Sequence, residues 1–291
     1  MHQKAFWAVL AGAIMAGSSG VFVKHLHIPA TSIAFIRTLI PAALMALWMV
    51  LQGTAFFRGN YKLMLGASAL NALRLYFFFT AYLYTSIGNA VIISYTWPIF
   101  VTVFSMFFLR EEVSRRQLWL LGLAFVGILI VYANQPFSFG NRDFIGMSAA
   151  LGAAIMHAIG VTIFKKETDN YSRPEILFYQ NCLGVLVFLP FILFNEPVPT
   201  VSDWTIASGH AFFLGIIGFY FFFYGLHYLK ASVASALAYV EIVSALLFSV
   251  FWMKEELTGN MMLGGAVIVL STVLLRKRKK TLGPQGASTK T

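Results

Sequence analysis

Ten stretches of the chain are continuously apolar for about 17 to 25 residues, the length a helix needs to cross a bilayer. They run from 5 to 23, 31 to 52, 62 to 84, 89 to 109, 116 to 133, 144 to 164, 174 to 194, 206 to 228, 232 to 253 and 259 to 275. Lipid offers the peptide group no partners, so each stretch must satisfy its own backbone as a helix or join a closed barrel. Barrel strands alternate apolar and polar residues over about ten positions, and these runs do not alternate. Composition agrees: 59% of the 291 residues are hydrophobic, 11% are charged and the mean hydropathy is +0.76, far from the balance of soluble domains. The fold class expected is an all-α integral membrane protein with ten transmembrane helices.

A formal charge of +10 raises the question of nucleic acid, and the placement of the basic residues answers it. Of the 21 lysines and arginines, sixteen fall on the side holding both ends of the chain, among them Lys4, Arg58, Lys62, Arg110, Arg115 and Arg116. Three, Lys24, Arg142 and Lys254, fall on the other side, and Arg37 and Arg74 lie within spans. The positive-inside rule then puts both termini in the cytoplasm and makes the chain a multi-pass protein of the cell (inner) membrane. "RKRKK" at 276–280 reads as an anchor for anionic lipid headgroups, with no nucleic-acid partner. The first span is long for a signal-peptide core and has a counterpart later in the chain, so it is read as a retained helix. Cys182 is the only cysteine, which leaves no internal disulfide and no cysteine metal site.

Shifting the chain by 144 residues lays 76–113 on 220–257 without a gap, and twelve of the 38 pairs are identical, from Tyr76/Tyr220 through Tyr95/Tyr239 to Glu111/Glu255 and Glu112/Glu256. Shared membrane composition matches many Phe and Ala, but it does not readily align two Glu-Glu pairs in loops. At a shift near 140, Gly12 meets Gly152 and Gly20 meets Gly160; Phe35 meets Phe178 at a slightly larger one. The chain therefore divides into a first five-helix repeat, 1–138, a second, 139–276, and a basic, disordered cytoplasmic tail, 277–291. Five crossings is an odd number, so the second repeat enters the membrane from the opposite face. Inverted repeats of this kind are frequent in secondary transporters, with substrate held near the midplane where the halves meet.

The stretch "YTSIGNAVIISYTWPIFVTVFSMFFLREEVSRRQLWLLGLAFVGILIVY", repeated through "LKASVASALAYVEIVSALLFSVFWMKEELTGNMMLGGAVIVLSTVLL", resembles the EamA unit of the drug/metabolite transporter superfamily. The resemblance covers about 5 to 275. Within that superfamily, "SYTWP" is similar to the YddG-type exporters of aromatic and other amino acids. It implies a ten-helix carrier that moves small metabolites out of the cytoplasm through a central cavity.

Arg74 lies about 18 Å along the third span at roughly 1.5 Å per residue, near the bilayer centre. A charge there is costly in lipid and normally faces a cavity or a partner. Glu241 is the only acidic residue deep in any span, and its repeat mate is Trp97. It can bind a substrate amine, carry a coupling proton, or neutralise Arg74. Phe77, Phe78, Ala81 and Tyr82 share the helical face of Arg74, while Tyr95 and Trp97 add polar aromatic groups on the fourth span. His157 is read either as a member of a proton relay with Glu241 or as a packed neutral residue. Arg37, about 9 Å inside its span, is expected to snorkel to the periplasmic interface. Pro98 and Pro41 are candidate hinges. The substrate-binding set is thus Arg74, Phe78, Tyr82, Tyr95, Trp97, His157 and Glu241.

"GSSG" at 17–20 resembles the nucleophile motif of rhomboid proteases, which would make Ser19 a nucleophile and His157 its base. The other reading is packing: Gly12, Ala16 and Gly20 recur every fourth residue as a smooth helix face. "REEV" and "KEEL" end spans four and nine, where Ser114 and Thr258 can cap the next helix. No phosphate loop, metal-ligand cluster or other cofactor motif is present. The expected function is therefore secondary transport, not catalysis: export of small metabolites by alternating access, with membrane lipids as the surroundings. One fixed charge of each sign suits a zwitterion, so amino acids lead as substrates. Efflux of lipophilic cations is the alternative, and intramembrane proteolysis the distant one.

Overall fold

The computed structural model describes residues 2–134, 140–194, 197–254 and 256–276. Glu255 and the tail 277–291, for which the sequence raised expectations, lie outside them. Helices form ten rods: α1 (His2–Lys24), α2 (Ala30–Leu51), α3 (Tyr61–Tyr84), α4 (Gly88–Phe108), α5 (Arg115–Val131), α6 (Asn141–Glu167), α7 (Arg173–Phe194), α8 (Val201–Tyr228), α9 (Ala231–Met253) and α10 (Gly259–Arg276). No strand occurs among the described residues. Eight rods are long and apolar enough to cross a membrane; α5 and the apolar part of α10 are each 17 residues. Most ends fall within three residues of expectation. α8 starts five earlier, because Thr200 and Asp203 form a capping box that begins the helix at Val201. Ser114 caps α5 in the same way with Gln117.

The packing is symmetric between the halves. α3 lies on α6 as α8 lies on α1, α4 on α6 as α9 on α1, while α2 pairs with α7, α5 with α10 and α4 with α9. Adding five to both numbers of a pair, modulo ten, maps each pairing onto itself or another. Side chains fix the directions: Arg116 reaches the Leu274 carbonyl at one end of the α5–α10 pair, and Asn260 reaches Asn134 at the other. Val9 and Ala5 meet Gly225 near the end of α8. The starts of α1, α5 and α9 and the ends of α8 and α10 therefore share one face, here called the terminal end.

Without a hydrophobic drive between helices in lipid, close packing depends on small residues. At the α5–α10 crossing a Cβ on Gly127 would lie 2.9 Å from the Gly264 carbonyl oxygen, and one on Gly264 would meet the Gly127 carbonyl and lie 2.6 Å from Val131 Cγ2. The stripe on α1 is only partly of this kind. Gly12 packs against the Gly218 carbonyl, whereas a Cβ on Gly20 would meet only Met253 Cε, in loose contact at 3.7 Å. Gly160 has nothing within 4 Å of a built Cβ.

α4 and α9 are both interrupted at mid-depth, at Tyr95–Thr96 and Ala238–Tyr239. At each break amides bond three residues back rather than four, as Thr96 does to Ile93 and Tyr239 to Ala236. Pro98 opens the second segment of α4, but α9 breaks without any proline. The interruption is therefore a property of the repeat, which Pro98 accommodates rather than causes. The hydroxyl of buried Tyr239 donates to the Tyr95 carbonyl at 3.0 Å, bridging the two breaks. α2 runs through Pro41 uninterrupted, and Ala211–Gly218 of α8 forms a π-helix with no counterpart in α3.

Gly264→Ala is expected to lower stability by about 1–3 kcal/mol through overpacking, seen as a lower unfolding temperature in detergent. Gly265→Ala, where the space is open, should leave it unchanged.

Candidate functional site

Between the halves lies a cavity of about 340 Å³, at the small end of ligand pockets, which span roughly 300–1,000 Å³. Arg74, Phe78, Tyr82, Tyr95, Trp97, His157 and Glu241 all line it. α3 supplies Arg74, Phe78 and Tyr82 at i, i+4 and i+8 on one face. Phe77 and Ala81, read as part of the same wall, pack instead into the α3–α6 interface. The break in α4 turns Ser94, Tyr95 and Trp97 inward, and the break in α9 does the same for Ala238 and Glu241. The Trp97 indole stands edge-on to the His157 ring at 4.5 Å, and Phe78 lies 4.7 Å from Tyr82. Arg74 Nε donates to Asn71 Oδ1 at 3.1 Å, while Asn71 Nδ2 donates to the Gln180 carbonyl at 2.7 Å. Asn71, one turn before Arg74 on α3, thus ties the guanidinium to the α7 backbone.

Three features were not expected. Arg37 does not snorkel; it lines the cavity beside Arg74. Its neighbours one turn either way, Ala34 and Pro41, are buried, so this face of α2 points inward. Depth alone favoured the interface, and the small-residue face was the signal against it. Second, Tyr132 at the end of α5 joins the wall close to Glu241. Third, α1 and α8 contribute substantially, through Ala16, Gly20, Leu214 and Gly218 among others.

Ser19 hydrogen-bonds His210 Nε2 at 2.9 Å rather than His157. His210 Nδ1 is buried and has no hydrogen-bond partner, so the pair lacks the third group that orients a catalytic base.

The cavity reaches toward the end opposite the termini, through Gly20, Tyr82, Val91 and Tyr132. Toward the terminal end it stops at a buried plug of Phe164, Phe223 and Leu226, with the two rings 5.5 Å apart. Polar contacts between loops seal the plug. Glu111 accepts the Ala231 amide at 2.7 Å, and Lys165 Nζ donates to the Leu226 and His227 carbonyls at 2.6 and 3.1 Å. Arg58 grips Glu175 through two hydrogen bonds of 2.6 and 2.8 Å, and the Tyr171 hydroxyl donates to the Arg58 carbonyl. The hydrogen-bonded carboxylate raises the Arg58 guanidinium above its ordinary value.

Ten rods with crosswise pairing thus surround a charged, aromatic-lined cavity that is closed at the terminal end. The model of the EamA-like transporter family matches residues 3–133 and again 144–277. The chain belongs to that family. It is 27% identical over 256 residues to the pseudopaline exporter CntI of Pseudomonas aeruginosa, covering 87% of this chain and 88% of that one. A transporter of Archaeoglobus fulgidus is 27% identical over 271 residues, covering 92% and 94%. One crystal structure superposes with a TM-score of 0.83 at 17% identity, over 93% of this chain and 97% of the other, and so shares the fold.

The seal can be tested with a cysteine at Val161, which packs into the plug, in a Cys182→Ser background. Glu111→Ala removes a charge-assisted hydrogen bond worth about 1.5–3 kcal/mol. Labelling of that cysteine from the terminal side should rise by roughly one to two orders of magnitude.

Proposed function

We propose that this EamA-family protein is a secondary transporter that exports small metabolites, amino acids foremost, by alternating access. One observation carries the reading: opposite charges and an aromatic wall converge in a single cavity at mid-depth, between two halves whose contacts exchange under the repeat. Charges so deep in lipid are costly and mark substrate paths. Arg74, held by Asn71, receives a substrate carboxylate; Glu241 receives the ammonium group or the coupling proton, with His157 as a second protonatable group. Phe78, Tyr82, Tyr95 and Trp97 hold the apolar part. That the Pseudomonas relative is an exporter supports the direction of transport. The charge asymmetry of the loops supports a cell-membrane location with the terminal end cytoplasmic, so the cavity described here faces outward.

Efflux of lipophilic cations fits less well, since two guanidinium groups share the cavity with one carboxylate. Proteolysis is disfavoured by the unpartnered Nδ1 of His210 and by membership of a transporter family.

Counterflow of labelled amino acids in proteoliposomes tests the proposal. Arg74→Ala should reduce uptake at least tenfold, about 1.4 kcal/mol or more of lost binding; normal transport would remove Arg74 from the site. Glu241→Gln should weaken the pH dependence of exchange, and an unchanged profile would exclude it as the proton carrier.

A further inference from the structure

The cavity holds more positive charge than a simple zwitterion needs. Arg37 and Arg74 both line it and act electrostatically on each other. The Glu241 carboxylate lines the same cavity. Among the described residues the ion pairs within 4.0 Å are Arg58–Glu175 and His227–Asp169, so neither cavity arginine is closed by a carboxylate. Arg74 has one hydrogen bond, to Asn71; Arg37 has none among the described residues. A planar guanidinium in a water-poor site is built for bidentate capture of an oxyanion. One carboxylate leaves the second fork unfilled, and an unpaired charge in the membrane is costly.

We infer that Arg37 is a second carboxylate receptor, and that the cavity selects amino acids carrying two carboxylates and one amine. This rests on the amino-acid reading above and narrows it. With such a ligand the two arginines meet two carboxylates and Glu241 meets the ammonium, so every buried charge is paired. Amine-free phosphate monoesters such as glycerol phosphate supply up to two negative charges but leave Glu241 facing an anion. The position of Arg37 agrees with this role: one turn before Pro41, its backbone carbonyl loses the usual helical partner, and the side chain projects from an inward face between buried Ala34 and Pro41.

Counterflow with labelled glutamate, leucine and glycerol phosphate tests the inference. Wild-type protein should exchange glutamate at least tenfold better than leucine or glycerol phosphate. Arg37→Gln should lower the ratio of glutamate to leucine exchange at least tenfold, to about one. Equal exchange of glutamate and leucine by the wild type would overturn the inference and leave amino-acid export standing, whereas no exchange of any amino acid would sink that reading itself. Equal loss of both substrates in Arg37→Gln would make the residue structural and end the assignment. Should that variant fail to fold, thermal stabilisation of the wild type decides: glutamate must raise the unfolding temperature where leucine and glycerol phosphate at equal concentration do not. A glutamate shift no larger than theirs overturns the inference.

Discussion

Hydrocarbon cannot hydrogen-bond a peptide group, and the structure depends on how that constraint is met where its helices stop short. A helix broken at mid-depth exposes carbonyls with no intrahelical partner, tolerable only where protein or cavity supplies one. Here the fourth and ninth rods break at equivalent points and stand against each other, so that the hydroxyl of Tyr239 satisfies the carbonyl of Tyr95. The pseudo-symmetric pairing of these rods is therefore what permits the interruptions. The interruptions in turn aim Trp97 and Glu241 at the centre. Regular helices would leave the same side chains on a narrower face, with less space between the halves.

The repeat also divides the charges. Arg74 lies where the second half has Gly218 at a shift of 144, and Glu241 lies where the first half has Trp97. Both cavity arginines come from the first half and the carboxylate from the second. A near-symmetric scaffold thus encloses an electrically lopsided site, with positive charge on one wall and negative on the other. The π-helical segment of α8 has the same effect on shape, since the corresponding turn of α3 is regular.

Much of this was legible in the chain. Ten spans, the inverted duplication and the seven lining residues follow from length, register and the rarity of charge in apolar runs, because lipid penalises each deviation strongly. Other features depend on tertiary contact, which local patterns reflect only in part. Arg37 was misplaced because distance along a helix says nothing about which way that helix turns; the small residues one turn away held that information. The unbroken run through Pro41 and the proline-free break in α9 show that neighbours decide whether a helix yields. The Ser19–His210 contact joins residues 191 positions apart, beyond any motif.

The seal at the terminal end grips main chain more than side chain. Glu111 holds an amide, while Lys165, Tyr171 and Tyr179 hold carbonyls, as does Lys230 on Glu112. A latch of this sort depends on the identity of one partner only. The receiving positions are free to vary in evolution, provided a helix terminus or loop is still presented there, so that lineages can remodel their loops and keep the same closure.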